Sequence, residues 1–144
     1  MKKSAIIAIT LVTLILGGGI IVGWSVYNRN QHEGQESFVR TFTDENFEIE
    51  VVQASRKRPV VLDFYADWCF PCRLLEPTLE DIAREMRDRV VVGKLNTDKN
   101  MMARRFGVTR IPAVFIIKDG EVKESFFGVV SKETLSNALK EWLL

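Results

Sequence analysis

The feature that most constrains the fold is a pair of cysteines between an apolar run and a helical pattern. Cys69 and Cys72 are the only cysteines of the chain, and they follow shortly after the apolar run Val60–Tyr65. This run has the length and the β-branched content of a buried strand. The residues after the cysteines carry apolar side chains at helical spacing. A strand that leads through such a pair into a helix indicates an α/β domain.

The position and spacing of the cysteines indicate a dithiol redox site. A cysteine at the start of a helix lies beside free backbone N–H groups and a partial positive charge, which stabilise the nucleophilic thiolate. Two intervening residues allow one sulfur to attack a substrate disulfide and the other to resolve the mixed disulfide that results. Pro71 fits the opening of the helix, because its missing N–H would have been unpaired there.

Two other roles for the cysteine pair stay open, a metal site and a structural disulfide. A zinc or iron–sulfur site usually takes four Cys or His ligands, whereas this chain has two cysteines and a single histidine, His32. A metal would therefore have to be shared between two chains. A structural disulfide of this spacing closes a very short loop and adds little stability. The strand-to-helix context favours the redox interpretation, without a metal.

The first 27 residues have the composition of a membrane anchor. Residues 4–27 contain no charged side chain, and a helix over them would measure about 36 Å at ~1.5 Å per residue. That length crosses a bilayer with some tilt. A cleaved signal peptide has a shorter apolar region, about 7–15 residues, that ends in a small-x-small site. We therefore expect an uncleaved transmembrane helix, with Trp24 and Tyr27 at the far interface.

The charges that flank the apolar run predict its orientation. Lys2 and Lys3 precede it, and only Arg29 follows closely. The positive-inside rule then leaves the N-terminus in the cytoplasm and places the remainder outside the cell membrane, in the periplasm of a Gram-negative bacterium. Residues 28–37 are polar and predict a flexible linker. Residues 38–144 would form the extracytoplasmic domain.

The charge of the predicted domain gives no support for a nucleic-acid partner. Three of the 20 Lys and Arg residues and two of the 19 Asp and Glu residues lie before residue 38, which leaves 17 of each sign in the domain. A nucleic-acid-binding domain normally carries a clear excess of positive charge. We therefore expect no nucleic-acid partner.

The hydrophobic periodicity of the domain predicts alternating strands and helices. The predicted strands cover residues 38–41, 60–65, 90–95, 113–117 and 122–127. The predicted helices cover residues 43–52 (capped by Thr43 or Asp44), 73–87 and 99–106, with a last helix from Ser131. Pro77 should kink the second helix without ending it, because the apolar stripe continues beyond it. Asp119-Gly120 predicts a hairpin between the last two strands. The expected fold is a mixed central sheet flanked by helices.

In the order and spacing of its motifs, the chain resembles the thioredoxin family over roughly residues 38–144. The matching marks are residues 61–66 (VLDFYA), residues 68–73 (WCFPCR), Pro77, residues 94–98 (KLNTD), Ile111-Pro112 and Gly128. The resemblance implies a thioredoxin fold and thiol–disulfide exchange. It implies that Cys69 attacks and Cys72 resolves, with no cofactor beyond their reversible disulfide. We expect Cys69, nearer the helix start, to be the more exposed of the two.

The resemblance also assigns a proton acceptor. Asp63 is a carboxylate within a buried apolar strand, so its pKa should be raised. By resemblance it would accept the proton of Cys72 during resolution. Lys94, from the neighbouring strand, matches a family lysine that lies near this carboxylate and would temper the rise in its pKa.

Residues around the cysteines are expected to bind the substrate. Pro112 matches the family's cis-proline, which would leave the backbone of Ile111 free to pair with an extended substrate strand. Trp68, Phe70 and Pro71 would line the same site. This chain departs from the commonest thioredoxin pattern at three positions: Phe70 and Arg110 each stand where a glycine is usual, and Ala113 stands where a threonine is usual. The first two changes bear on substrate choice and redox potential.

The sequence thus predicts a membrane-anchored thiol–disulfide oxidoreductase that exchanges, and in our interpretation reduces, disulfides of exported proteins. A single transmembrane helix cannot deliver electrons, so a separate electron donor, such as a transmembrane reductase, is expected. Two alternatives stay open: an oxidase or isomerase of folding exported proteins, and a non-catalytic tethered adaptor that holds partners beside Pro112.

Overall fold

A computed structural model describes residues 37–143 of the chain. The predicted membrane anchor, residues 1–27, and all but the last residue of the predicted linker lie outside the described residues. Between residues 37 and 143, no helix has both the length and the apolar character needed to cross a bilayer.

Five strands form one mixed sheet. They are β1 (Arg40–Phe42), β2 (Val60–Tyr65), β3 (Val91–Asn96), β4 (Ala113–Lys118) and β5 (Glu121–Phe127). Their spatial order is β1-β3-β2-β4-β5. Strand β3 pairs in parallel with β1 and β2, whereas β4 is antiparallel to both β2 and β5. The central strand β2 therefore pairs on both edges, and its continuous apolar run reflects burial of both its faces by the helices.

The last two strands form the predicted hairpin. Lys118 of β4 pairs with Glu121 of β5, so that Asp119 and Gly120 make a two-residue turn. Both turn residues have positive φ, 57° and 79° respectively. Asp and Gly adopt this conformation more readily than other residues, which is why the dipeptide predicts the turn.

Helices cover both faces of the sheet. The α-helices are α1 (Ala54–Lys57), α2 (Phe70–Glu85), α3 (Met102–Arg105) and α4 (Lys132–Lys140), and a π-helix (Glu48–Gln53) precedes α1. Pro77 lies inside α2 and does not end it, as predicted. Ser131 caps α4 as predicted, because its hydroxyl oxygen accepts the N–H of Thr134 at 3.1 Å.

The first helix begins later than the sequence predicts. The side chains of Thr43 and Asn46 bind each other's backbone: Asn46 N–H donates to Thr43 Oγ1 (3.3 Å), and Thr43 N–H donates to Asn46 Oδ1 (2.8 Å). This reciprocal pair holds a turn, and the regular helical segment begins at Glu48. The pair has the arrangement of a capping box, so Thr43 makes the side-chain bond predicted of a cap. The predicted helix start was nevertheless too early, because residues 44–46 form a turn before the regular segment.

Asp44 caps a different helix from the one predicted. Its carboxylate accepts the backbone N–H groups of Met101 (2.7 Å) and Met102 (3.0 Å), where α3 begins. The aspartate thus acts across a long sequence separation. The helix that it caps covers Met102–Arg105 and is shorter than the predicted helix 99–106.

The core consists of two apolar layers, one on each face of the sheet. On one face, Val61 of β2 packs with Leu79 of α2 and Leu135 of α4. On the other face, Leu62 packs with Phe42 and with the residues of the π-helix and α3. Successive residues of a strand point to opposite faces, so β2 contributes to both layers. The predicted sheet with helices on both faces is confirmed.

Candidate active site

The two cysteines lie at the start of α2, directly after the end of β2. Cys69 is the residue that caps α2, and Cys72 lies in its first turn. They form a disulfide with their Cα atoms 5.3 Å apart. The backbone N–H of Cys72 points at Cys69 Sγ at 3.2 Å. The helix start therefore presents a donor to the sulfur that we predict to be the nucleophile.

Both cysteines are buried, which differs from the expectation that Cys69 would be the more exposed. Each has an exposed fraction of 3%. Ala66, Tyr65 and Ile111 pack around the pair. The expectation took account only of the position at the helix start. The segment after β2 and the segment before β4 also close around the sulfurs, and neither contact is visible in the local sequence.

The surface beside the disulfide is apolar and aromatic. Trp68 and Phe70 have exposed fractions of 70% and 61%. Trp68 Nε1 donates a hydrogen bond to Asp98 Oδ2 at 2.9 Å, which orients the indole. The guanidinium carbon of Arg73 lies 5.6 Å from the centre of the Phe70 ring. The roles of Trp68, Phe70 and Pro71 in substrate binding stay predictions, and the structure places all three around the cysteines.

The peptide bond between Ile111 and Pro112 is cis, as the resemblance predicted. Pro112 is buried at the start of β4, and its carbonyl accepts the N–H of Gly128 at 2.8 Å. Arg110 lies just before this bond, and its guanidinium carbon is 4.6 Å from the centre of the Phe127 ring. The structure therefore brings the cis-proline and the cysteines, which are far apart in sequence, to one site through Ile111.

Asp63 is an almost fully buried carboxyl group on β2. Its exposed fraction is 1%, and its Oδ1 has no hydrogen-bond partner among residues 37–143. Burial raises the pKa of Asp63 from 3.8 to about 7; the positive charge of Lys94 opposes this rise, and the negative charge of Glu76 adds to it. The raised pKa predicted from the sequence is confirmed. A group with a pKa near neutrality can both accept and release a proton under physiological conditions.

Lys94 lies beside Asp63 in the sheet but binds a different carboxylate. The two residues are register partners on β3 and β2. The Lys94 ammonium nevertheless forms its ion pair with Glu76, at 2.9 Å from Oε1, and lies 5.0 Å from the centre of the Tyr65 ring. Burial lowers the pKa of Lys94, but the hydrogen bond and charge of Glu76 outweigh burial and leave the pKa above its usual value.

Glu76 is the residue of the site that the sequence reasoning missed. It follows Cys72 by four residues on α2, so the two side chains share one face of the helix. That spacing was the sequence signal that could have placed Glu76 in the site.

The structure gives no indication of a metal site in its described part: within residues 37–143 it contains no group of three or more His, Cys, Asp and Glu side chains that could hold a metal ion.

Comparison with known proteins identifies the relatives of the chain. The family model "Thioredoxin" matches residues 38–141. Thioredoxin 1 of Synechococcus elongatus is 41% identical over 108 residues, which cover 74% of this chain and 99% of that protein. The thioredoxin of Rickettsia bellii is 39% identical over 102 residues, covering 70% of this chain and 91% of the relative. The thioredoxin of Pyropia yezoensis is 38% identical over 106 residues, covering 73% and 97% respectively.

A mixed sheet with a cysteine pair at the start of a helix, beside a cis-proline, defines a protein-disulfide oxidoreductase of thioredoxin fold. The chain belongs to the thioredoxin family. Its substrates are accordingly proteins that contain disulfides.

Proposed function

We propose that the protein is a membrane-anchored thioredoxin that reduces disulfides of exported proteins on the outer side of the cell membrane. The observation that carries this proposal is the uncharged run at residues 4–27, joined by a polar segment to a thioredoxin domain. Lys2 and Lys3 before the run favour an N-terminus in the cytoplasm. The domain would then act outside the cytoplasm.

The proposed reaction transfers two electrons from the dithiol to a substrate disulfide. The thiolate of Cys69 attacks one substrate sulfur, and the other substrate sulfur leaves as a thiolate. Cys72 then attacks the sulfur of Cys69, the substrate's second thiol leaves, and the Cys69–Cys72 disulfide forms. Asp63 accepts the proton that Cys72 gives up. Its pKa of about 7 suits this exchange, because the carboxylate form is available and the protonated form releases the proton easily.

The proposed substrate-binding site lies between the start of α2 and the cis-proline. The backbone of Ile111 pairs with an extended segment of the substrate. Exposed Trp68 and Phe70 offer apolar surface for the residues beside the substrate cysteine. Arg110, where a glycine is usual in the family, adds a positive charge at the other side of the site.

Reduction outside the cytoplasm requires a continuous supply of electrons. The compartment is oxidising, so the Cys69–Cys72 disulfide has to be reduced again after each turnover. We propose that a separate transmembrane reductase delivers these electrons, because one transmembrane helix carries no redox group. The redox potential of the Cys69–Cys72 pair then decides whether the protein reduces or oxidises its substrates.

The membrane location is tested on the full chain in spheroplasts. After extraction of the membranes with alkaline carbonate, the protein should stay in the membrane pellet. Added protease should digest the domain in intact spheroplasts, while a cytoplasmic marker protein stays protected. The proposal is overturned if the protein is released by carbonate or if the domain is protected until the spheroplasts are lysed.

The direction of exchange is tested by equilibrating the full-length protein with glutathione redox buffers. A potential of about −270 mV supports a reductase, whereas a potential of about −120 mV supports the oxidase alternative. Insulin reduction by dithiothreitol provides the activity assay, and Cys69→Ser should abolish the acceleration that the wild type gives. Acceleration that survives this substitution would contradict the dithiol reaction, and a wild type that gives no acceleration would favour the adaptor alternative.

A further inference from the structure

We propose that Glu76 is a positioning residue that holds the Lys94 ammonium away from the Asp63 carboxyl group and thereby sets the pH at which Cys72 resolves the mixed disulfide. The inference rests on the roles proposed for Cys72 and Asp63. It is independent of where in the cell the protein acts.

The geometry offers Lys94 two carboxyl groups, and it pairs with one of them. Lys94 reaches the site from β3, where its register partner is Asp63. Glu76 reaches the same site from α2, and its Oε1 lies 2.9 Å from Lys94 Nζ. Asp63 forms no ion pair with Lys94, and within the described part of the chain its Oδ1 has no hydrogen-bond partner. Lys94, which would otherwise form an ion pair with the buried Asp63 carboxylate, is therefore paired with Glu76.

Few charged groups act on Asp63, so the choice of partner by Lys94 strongly affects the ionisation of this carboxyl group. On β3 the charged neighbour is Lys94, and on β4 the register partner is the apolar Val114. Of the charged side chains on α2, Glu76 is the one whose charge acts on Asp63, and Cys72 lies on the same face of that helix. On its own strand the nearest ionisable residue is Tyr65, whose ring lies beside the Lys94 ammonium. Among residues 37–143, Lys94 is thus the positive charge that acts on the carboxyl group.

Glu76 acts on Asp63 in two ways that have the same sign. Its negative charge directly disfavours ionisation of Asp63 and raises the pKa of that carboxyl group. Its hydrogen bond also holds the ammonium that would favour ionisation. Removal of the Glu76 charge therefore ends the repulsion and releases Lys94 toward Asp63. Asp63 then loses its proton at a lower pH and can accept the proton of Cys72 in more acidic solution.

The test follows the two half-reactions separately in the full-length protein. Reduced protein is mixed in a stopped-flow instrument with an excess of 5,5′-dithiobis(2-nitrobenzoic acid). Attack by Cys69 releases the first coloured thiolate, and resolution by Cys72 releases the second. The rate of the second phase is measured from pH 5 to pH 9, and the midpoint of its pH profile is compared between variants.

We expect Glu76→Gln to shift this midpoint by about one unit to lower pH, the size of effect that one nearby charge produces. The matched control is Glu85→Gln, which removes the same charge from the far end of α2, where Glu85 pairs with Lys132. The control should keep the wild-type midpoint.

A double substitution separates positioning from a general charge effect. If Glu76 holds Lys94 back, Lys94→Gln should raise the midpoint more in the Glu76→Gln background than in the wild type, because only there is the ammonium free to pair with Asp63. Equal midpoints for Glu76→Gln and Glu85→Gln, or equal effects of Lys94→Gln in both backgrounds, would overturn the inference. Absence of a second phase in the wild type would instead overturn the dithiol roles on which it rests.

Discussion

Replacement of Asp63 by asparagine should stabilise the folded protein, and the gain should increase with pH. Asp63 lies inside the sheet with an exposed fraction of 1%, and one of its oxygens has no hydrogen-bond partner in the part of the chain that the structure describes. Burial raises its pKa from 3.8 to about 7 in the folded state. The folded protein therefore holds this proton at pH values where the unfolded chain has already lost it. The stability of the wild type must fall as the pH rises through this range.

The size of this penalty follows from the difference between the two pKa values. The rise of the Asp63 pKa from 3.8 to about 7 corresponds to about 4 kcal/mol of lost stability once the group is ionised in both states. With these pKa values for the unfolded and the folded state, about 3 kcal/mol of this loss of stability occurs between pH 5 and pH 9. Asparagine has nearly the same shape and carries no charge, so the variant should not show this loss.

Urea unfolding of the oxidised full-length protein in a non-ionic detergent measures the effect between pH 5 and pH 9. The free energy of unfolding of Asp63→Asn, relative to that of the wild type, should increase by about 3 kcal/mol over this range. The control is Asp88→Asn, which removes a carboxylate whose side chain is 91% exposed. A difference between Asp63→Asn and wild type that stays constant across the pH range would refute the reasoning.

Two further substitutions test the packing and the capping of the fold. Gly93→Ala should lower the free energy of unfolding by about 1–3 kcal/mol, because an added Cβ would overlap the ring of Phe42 and force the core apart; an unchanged urea midpoint would contradict this. Ser131→Ala should cost about 1 kcal/mol through loss of the cap on the Thr134 N–H, while Ser136→Ala in the same helix should cost nothing. Equal midpoints for the two serine variants would argue against the cap.

Features that depend on neighbouring residues were predictable from the sequence. The strand β2 matches its predicted range, because a buried central strand is a continuous apolar run between Pro59 and the cysteine segment. The Asp119-Gly120 hairpin follows from two residues that tolerate positive φ. The burial of Asp63 follows from its position in an apolar strand. The cis bond before Pro112 required the family resemblance, because the local sequence carries no signal for it.

Features that depend on tertiary contacts were not predictable. The sequence predicted that Asp44 could cap the helix of its own segment. In the structure it caps α3, which is distant in sequence and lies nearby only in the folded protein. Lys94 was correctly placed beside Asp63, but the partner of its ammonium is decided by a helix residue, Glu76. The burial of Cys69 likewise results from Ile111, which is distant in sequence. In each case several partners were compatible with the sequence, and packing selected one.

The most direct test of the mechanism is capture of the mixed disulfide. Reduced full-length Cys72→Ser is incubated with insulin, and the products are separated under non-reducing conditions and identified by mass spectrometry. The account predicts a covalent adduct through Cys69 with Cys72→Ser, and none with the matched variant Cys69→Ser. An adduct through Cys72 in the Cys69→Ser variant, at a yield equal to that of Cys72→Ser, would contradict it.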